Sequence, residues 1–194
     1  MSKVELERKT SETFVRISLE PYGSGEFDIE TPLPFLSHIL SAFARFGRFD
    51  LKLKAEGDIE VDAHHTVEDV GLLLGEAVSE ARGDATEINR IGYALLPMDD
   101  ALVSVALDLC GRVFCSVTPQ LQGTAGSFDA ALLKEFFSAF CTKAGCVLHV
   151  RVLAGENTHH VCEAIFKALG VALSQALAKD ERLGRKPLST KGRL

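Results

Sequence analysis

Long apolar runs are missing from this chain of 194 residues. No stretch approaches the roughly 18 consecutive apolar residues that a membrane-spanning helix needs. The first residues, MSKVELE, also lack the apolar middle segment of a signal peptide. From these two absences we expect a cytoplasmic protein with no membrane partner.

Paired cysteines are missing as well. The five cysteines are odd in number and show no Cys-x-x-Cys spacing; they are Cys110, Cys115, Cys141, Cys146 and Cys162. Disulfide scaffolds and thiolate zinc sites normally show paired cysteines. We therefore expect mostly buried, reduced thiols.

Positive charge is in the minority, because 21 Lys and Arg face 27 Asp and Glu, which gives a net charge of −6. A broad surface for nucleic acid or anionic lipid needs the opposite balance. A local basic pocket for a phosphate remains compatible with this composition. We therefore expect a small-molecule ligand and no nucleic-acid partner.

The chain has no low-complexity segment and no long linker, and its apolar periodicity changes in the same order twice. In the first half we predict strands at 13–19, 26–30 and 49–55 and helices at 35–47 and 64–81. In the second half we predict strands at 101–109, 112–117 and 147–153 and helices at 129–143 and 159–178. Each half, residues 1–92 and 93–194, is therefore predicted to be a β-β-α-β-α unit.

A unit of this kind covers only one face of its sheet, so two units should pack their apolar faces together. The predicted fold class is α/β (α+β). It contains internally duplicated halves, with two sheets packed with helices between them. Together the halves should form one compact catalytic unit.

The duplication is clearest in a histidine motif. The stretches DAHHTVEDVG (62–71) and NTHHVCEAIF (157–166) place adjacent histidines 95 positions apart. Residues four apart share one face of a helix, so His64 can bind the same ion as Glu68. By the same spacing, His159 can bind the same ion as Glu163.

The second histidine of each pair points elsewhere. His65 and His160 lie about 100° around the helix from their neighbours. Each is therefore better placed to reach a second ion or a facing helix. The pattern predicts two related metal sites with crossed ligands.

The remaining histidines, His38 and His149, lie in apolar settings, where a lone histidine is more often a core residue than a ligand. A single exposed His-His pair is equally compatible with an ordinary polar surface. Two copies at matched positions disfavour that interpretation, and three imidazoles with one carboxylate per ion would use all six histidines. Such ligands suit a first-row divalent ion, and open positions for substrate favour manganese or iron over structural zinc.

Further motifs follow one another over nearly the whole chain. They are RKTSET (8–13), GD (57–58), the first histidine block, PMDDAL (97–102), CGR (110–112), LHV (148–150), residues 155–167 and STKG (189–192). In this order they resemble the imidazoleglycerol-phosphate dehydratase family of histidine biosynthesis. The resemblance implies a duplicated α/β fold and a hydro-lyase that converts imidazole glycerol phosphate into imidazole acetol phosphate. It also implies two Mn²⁺ ions per active site and a 24-subunit homo-oligomer with active sites between subunits.

The resemblance also implies a set of site residues at the matching positions. One metal would bind His64, Glu68, His149 and His160, and the other would bind His38, His65, His159 and Glu163. The substrate phosphate would contact Arg90, Arg112, Lys167, Ser189 and Lys191. Glu12 matches a position that contacts substrate, and Glu12, Glu68 and Glu163 are all candidates for the catalytic proton transfer.

The chain departs from the family pattern at Ser37, where an aspartate usually precedes a metal-binding histidine, and at Phe46, which replaces a histidine. Serine can serve neither as a base nor as a charged partner of a ligand. Two alternatives follow: a non-catalytic metal-binding relative, and a di-metal hydrolase acting on a phosphorylated small molecule. The retained phosphate-binding cations argue against the first, and the imidazole-selective pattern argues against the second.

Overall fold

The computed structural model describes residues 3–184 and 188–189. The first half contains β1 (Val4–Lys9), β2 (Thr13–Glu20), β3 (Phe27–Glu30), α1 (Pro34–Gly47), β4 (Asp50–Gly57) and α2 (His64–Arg82). The second half contains β5 (Ile91–Met98), β6 (Ala101–Asp108), β7 (Phe114–Thr118), β8 (Thr124–Ala125), β9 (Phe128–Asp129), α3 (Leu133–Ala144), β10 (Val147–Ala154) and α4 (Thr158–Leu177). Short 3-10 helices cover Ala130–Leu132 and Glu181–Leu183.

The two halves form sheets of identical topology. The first sheet has the order β1-β2-β4-β3 and the second has the order β5-β6-β10-β7, while β8 and β9 form a separate short hairpin. In each sheet the last pair, β4 with β3 or β10 with β7, is parallel and the other pairs are antiparallel. The predicted fold class and its duplication are confirmed, but each half is β-β-β-α-β-α rather than β-β-α-β-α.

The strands that the sequence pattern did not predict, β1 and β5, both lie at a sheet edge. Strand β1 reads VELERK, and charged residues are common on edge strands because they discourage pairing with other chains. Strand β5 contains Gly92 and Pro97, which usually break a strand but are tolerated at an edge. A Cβ on Gly92 would lie 1.8 Å from the carbonyl oxygen of Ala172, so this glycine lets α4 approach the sheet closely. The boundary between residues 92 and 93 stays a prediction, although β5 begins at Ile91.

Four helices lie between the two sheets. Helices α1 and α2 pack on the first sheet, α3 and α4 pack on the second, and the pairs meet as α1 with α4 and α2 with α3. Both contacts are close because glycine lies at the crossing. A Cβ on Gly75 would lie 2.4 Å from the carbonyl oxygen of Phe140, and a Cβ on Gly170 would lie 2.4 Å from that of Phe43. These matched glycines let the halves share one apolar core.

No helix in the described part of the chain has both the length and the apolar character needed to cross a membrane. Helices α2 and α4 are long, but each carries several polar residues near its N-terminus. Their buried positions face the sheets and the opposing helices, as expected for helices in a layered core.

The turn between β2 and β3 depends on one carboxylate, that of Asp50. Its Oδ1 accepts hydrogen bonds from the backbone N–H groups of Ser24 (2.8 Å), Gly25 (3.1 Å) and Glu26 (3.0 Å). We expect Asp50→Ala to lower the melting temperature by about 3–6 °C, because these donors lose their acceptor. Asp28→Ala, on the exposed face of β3, is the matched control and should change the melting temperature little.

The same carboxylate gives a pH dependence with a definite sign. Hydrogen bonds from the backbone of Glu26 and Ser24 lower the pKa of Asp50 below its ordinary value of 3.8. A lowered pKa contributes stability that is complete above the unfolded-state value and is lost as the pH falls through the folded-state value. The difference in melting temperature between wild type and Asp50→Ala should therefore shrink below pH 3.8. A difference that stays constant with pH would contradict this account.

Candidate metal centre and active site

Three predicted ligands converge where α1 meets α4. His38 lies in the second turn of α1, and His159 and Glu163 lie one turn apart at the start of α4. Oε2 of Glu163 is 3.1 Å from Nε2 of His38 and 3.2 Å from Nε2 of His159. Potential ligand atoms of all three lie within 4.8 Å of one another, and no other trio of His, Cys, Asp or Glu in the described residues does so.

Glu163 is held in the charged form. Its second oxygen, Oε1, lies 2.8 Å from Nζ of Lys167, one turn further along α4. Burial alone would raise the pKa of Glu163, but hydrogen bonds from Lys167 and His38 outweigh burial and lower it to about 2. The lysine ammonium also lies 5.0 Å from the ring centre of Phe46, a favourable cation–π distance. The cluster thus has a fixed anionic ligand at its centre.

The matching motif on α2 is more open. Nε2 of His64 lies 3.7 Å from Oε2 of Glu68, the i, i+4 arrangement that the spacing predicts. His65 turns away from this pair, as expected, and its Nδ1 lies 3.7 Å from Oε2 of Glu12. Glu12, which lies in the β1–β2 turn, therefore faces the N-terminal end of α2.

One histidine of each pair is oriented by a carboxylate that the sequence interpretation did not assign. Nδ1 of His65 lies 3.2 Å from Oδ1 of Asp58, and Nδ1 of His160 lies 2.5 Å from Oδ1 of Asp100. A carboxylate at Nδ1 favours a proton there and leaves Nε2 as the metal-binding nitrogen. Asp58 lies in the GD motif and Asp100 in the PMDDAL motif. The sequence therefore singled out both aspartates, but it did not indicate that they contact His65 and His160.

A second network ties Glu12 to the α2 helix. Asp69, which is buried next to Glu68, accepts a hydrogen bond from Nε of Arg8 at 2.8 Å and another from the hydroxyl of Thr13. Both partners flank Glu12 along the chain. The side chain of Asp69 therefore fixes the turn that presents Glu12 beside the α2 histidines, a role that sequence reasoning also missed.

The predicted phosphate-binding residues are distributed more widely. Arg90 is bound by both oxygens of Asp108, at 2.6 and 3.0 Å, and its Nη1 donates to the carbonyl oxygen of Leu188 at 2.5 Å. This contact places Ser189 near Arg90. Arg112 is exposed in the segment before β7, and Lys191 lies outside the described residues.

A comparison with known proteins decides the family. The family model for imidazoleglycerol-phosphate dehydratase matches residues 31–173. The chain belongs to the imidazoleglycerol-phosphate dehydratase family. A relative with that name from Syntrophobacter fumaroxidans is 52% identical over 190 residues, which covers 97% of this chain and 96% of the relative. Another, from Acetivibrio thermocellus, is 48% identical and covers 99% of this chain and 98% of the relative.

Solved structures agree with this assignment. The imidazoleglycerol-phosphate dehydratase of Pyrococcus furiosus is similar with a TM-score of 0.85 and 35% identity, covering 97% of this chain and all of that one. The enzyme of Staphylococcus aureus gives a TM-score of 0.78 and 32% identity, covering 92% of this chain and all of that one. The resemblance inferred from the ordered motifs is confirmed.

Ser37, where the sequence resemblance leads us to expect an aspartate, has a structural role. Oγ of Ser37 lies 2.9 Å from Oγ1 of Thr31 and accepts a hydrogen bond from the Thr31 backbone N–H at 3.1 Å. These contacts close the loop between β3 and the start of α1. Ser37 therefore holds the segment that precedes His38.

The Asp100–His160 contact gives a test of how the proposed ligand His160 is oriented. In Asp100→Asn the amide N–H₂ would face Nδ1 and favour the wrong tautomer, so we expect manganese affinity to fall about 10–100-fold. Titration calorimetry measures that affinity. Asp62→Asn is the matched control, because the Asp62 side chain accepts the His64 backbone N–H at 3.1 Å, makes no other hydrogen bond among the described residues, and has Asn157 at the duplicated position. Equal losses in both variants would contradict the orientation role.

Proposed function

We propose that this chain dehydrates imidazole glycerol phosphate to imidazole acetol phosphate in histidine biosynthesis, using two divalent metal ions, preferably Mn²⁺, at each active site. The observation that carries the proposal is the convergence of His38, His159 and Glu163 in a chain of this family. Two imidazoles and a carboxylate are a suitable ligand set for a first-row divalent ion. Such ions, when bound, act as Lewis acids that stabilise negative charge developing on the substrate.

Within one chain, neither proposed metal site is complete. His65 does not join His38, His159 and Glu163, and His149 and His160 do not join the His64–Glu68 pair. We infer that each active site combines the α2 ligands of one subunit with the remaining ligands of a partner subunit. The proposed assembly is a homo-oligomer, a 24-mer by analogy with the family, working in the cytoplasm.

The outer faces of the two sheets differ in a way that supports self-association. On β5 the side chains of Ile91, Tyr93 and Leu95 are 49%, 70% and 63% exposed. The corresponding face of the first sheet is a broad groove lined by charged residues, among them Glu5, Glu7, Arg16, Lys52 and Lys54. A contiguous apolar surface on one side of a protein is typical of a subunit contact.

Glu12 is our candidate for the residue that takes the substrate proton. Glu163 is a poor base, because hydrogen bonds from Lys167 and His38 outweigh burial and lower its pKa to about 2. Glu68 stands beside His64 as a ligand. Glu12 instead lies at the edge of the α2 site on a turn anchored by Asp69, where it can face the substrate.

The substrate phosphate is proposed to bind at Arg90, Arg112, Lys167, Ser189 and Lys191. Asp108 holds the guanidinium of Arg90 in one plane, and the contact with Leu188 brings the segment with Ser189 beside it. A guanidinium held in one orientation is well suited to bind phosphate oxygens. These residues would position the substrate and take no part in the chemical step.

Turnover with and without metal tests the proposed function. We expect metal-stripped protein to lose roughly 100-fold or more of its activity toward imidazole glycerol phosphate, and manganese to restore it. His64→Ala should stay inactive after reloading, which controls for nonspecific metal effects. No product from intact, assembled, metal-loaded protein would favour the non-catalytic relative, and release of inorganic phosphate would favour the hydrolase.

A further inference from the structure

A short hairpin interrupts the symmetry of the two halves. Strands β8 and β9 lie between β7 and α3, whereas in the first half α1 follows β3 directly. The hairpin has a two-residue turn, because Ala125 pairs with Phe128. It lies close to α4, since a Cβ on Gly123 would be 2.8 Å from Oγ1 of Thr158. Thr158 immediately precedes His159, so the hairpin packs beside the N-terminal end of the helix that carries this proposed ligand.

The hairpin contributes a buried aromatic side chain. Phe128 is only 3% exposed, and its ring centre lies 5.5 Å from that of Phe35 in the first turn of α1. The ring of Phe35 in turn lies 5.0 Å from that of His159, at an angle of 62°, and 6.0 Å from that of His38. All three separations are in the range at which aromatic rings attract one another. Phe35 is therefore the middle of a row of rings that joins the hairpin to both imidazoles of the proposed metal centre.

The imidazoles of His38 and His159 lack an orienting carboxylate at Nδ1. The second histidine of each His-His pair has an aspartate at that atom. In the part of the chain that the structure describes, the rings of His38 and His159 form hydrogen bonds only through Nε2, and both bonds are with Glu163. A ring held at one atom can still turn about that atom, so a second contact is needed to fix its plane. Phe35 supplies that contact to both rings.

We propose that Phe35 is a positioning residue for the imidazoles of His38 and His159, and that the β8–β9 hairpin supports it through Phe128. The inference rests on the proposed function, because it concerns the ion that these imidazoles would bind. Both imidazoles are nearly half exposed, whereas Phe35 packs against the apolar core and is itself held in place. Ligands that are already oriented lose less conformational freedom when an ion binds. Removing the ring of Phe35 would therefore weaken metal binding although every ligand is still present.

Ordinary core packing is the competing interpretation of Phe35. The two interpretations differ in what loss of the ring changes, because core packing affects only the melting temperature and a positioning residue also affects metal affinity. Phe137 provides the comparison. It is fully buried, and among the described residues its ring contacts only the rings of Phe136 and Phe166.

The test is a titration of the metal-stripped, full-length protein with Mn²⁺ in a calorimeter, with melting temperatures measured on the same samples. Phe35→Leu keeps an apolar side chain but removes the ring, so manganese affinity should fall roughly 3–10-fold. Phe35→Tyr keeps the ring and should stay within about twofold of the wild type. Phe137→Leu should lower the melting temperature and leave manganese affinity unchanged. Unchanged affinity in Phe35→Leu, or an equal loss of affinity in Phe137→Leu, would overturn the proposal.

The hairpin gives a second test at a more distant position, because the ring of Phe128 contacts only that of Phe35 among the described rings. Phe128→Leu should lower manganese affinity by no more than Phe35→Leu does. The double variant should lose no more than Phe35→Leu alone, because Phe128 acts through Phe35. Unchanged affinity in Phe128→Leu, or losses that multiply in the double variant, would overturn the role of the hairpin.

The wild-type titration separates this inference from the proposed function. A wild-type protein that binds no manganese would overturn both. Wild-type binding together with unchanged affinity in Phe35→Leu would overturn the inference alone and leave the proposed function standing.

Discussion

Glu163→Gln should reduce kcat/KM by roughly 1,000-fold and also lower the melting temperature, because the largely buried Lys167 ammonium loses its partner. The glutamine has nearly the same shape, so packing at the start of α4 is preserved. The change removes the negative charge that lies between two imidazoles on one side and the Lys167 ammonium on the other. Metal affinity should fall with activity, because the central anionic ligand is lost.

The control variant replaces a glutamate that is exposed and has no imidazole partner. Glu76 lies in α2 and pairs with Lys143 at 3.2 Å, with both side chains about 40% exposed. Exposed pairs contribute little, so Glu76→Gln should change kcat/KM by less than about twofold. Manganese content by elemental analysis and the melting temperature should be measured for both variants. Full metal content and near-normal turnover in Glu163→Gln would remove Glu163 from the proposed centre.

Mixing two inactive variants should restore activity. We call His64, His65 and Glu68 the α2 patch, and His38, His159 and Glu163 the cluster. His65→Ala damages the α2 patch that one subunit would contribute, and His159→Ala damages the cluster that its partner would contribute. In a randomly mixed assembly about one site in four pairs an intact α2 patch with an intact cluster, so about a quarter of wild-type activity should return. The measurement is turnover after co-expression of the two variants with different affinity tags.

The matched control combines two lesions on the same patch. His64→Ala mixed with His65→Ala should restore nothing, because every α2 patch lacks one ligand whichever subunits meet. If the first mixture assembles, as shown by sequential purification on both tags, and still shows no turnover, all ligands of a site belong to one chain. That outcome would leave the family membership intact and remove the proposed division of the site between subunits.

Local spacing predicted much of the site. The i, i+4 rule places His64 beside Glu68 and His159 beside Glu163, and the structure shows both pairs. His65 and His160 also contact partners different from those of His64 and His159, as their predicted positions around the helix imply. These relations depend only on helix geometry, which the periodicity of the flanking apolar residues reveals.

The relations that were missed are tertiary. Spacing alone could not bring His38 to Glu163, because that contact depends on the close approach of α1 and α4 at Gly170; the family resemblance placed the two residues at one metal. Asp58 and Asp100 act on histidines 7 and 60 residues away, so no spacing rule links them. The edge strands β1 and β5 were missed for another reason, because an edge needs no continuous apolar pattern.

The unlike outer faces of the two sheets limit how copies of this molecule can join. Two halves with identical outer faces would present the same contact surface on both sides of the molecule. Subunits could then add to both sides indefinitely and form a fibre. Here the outer face of the first sheet is lined by charged residues of both signs, whereas β5 of the second sheet exposes Ile91, Tyr93 and Leu95. Divergence of the two halves after the duplication therefore left the molecule with two unlike outer faces, so one contact cannot repeat on both of its sides.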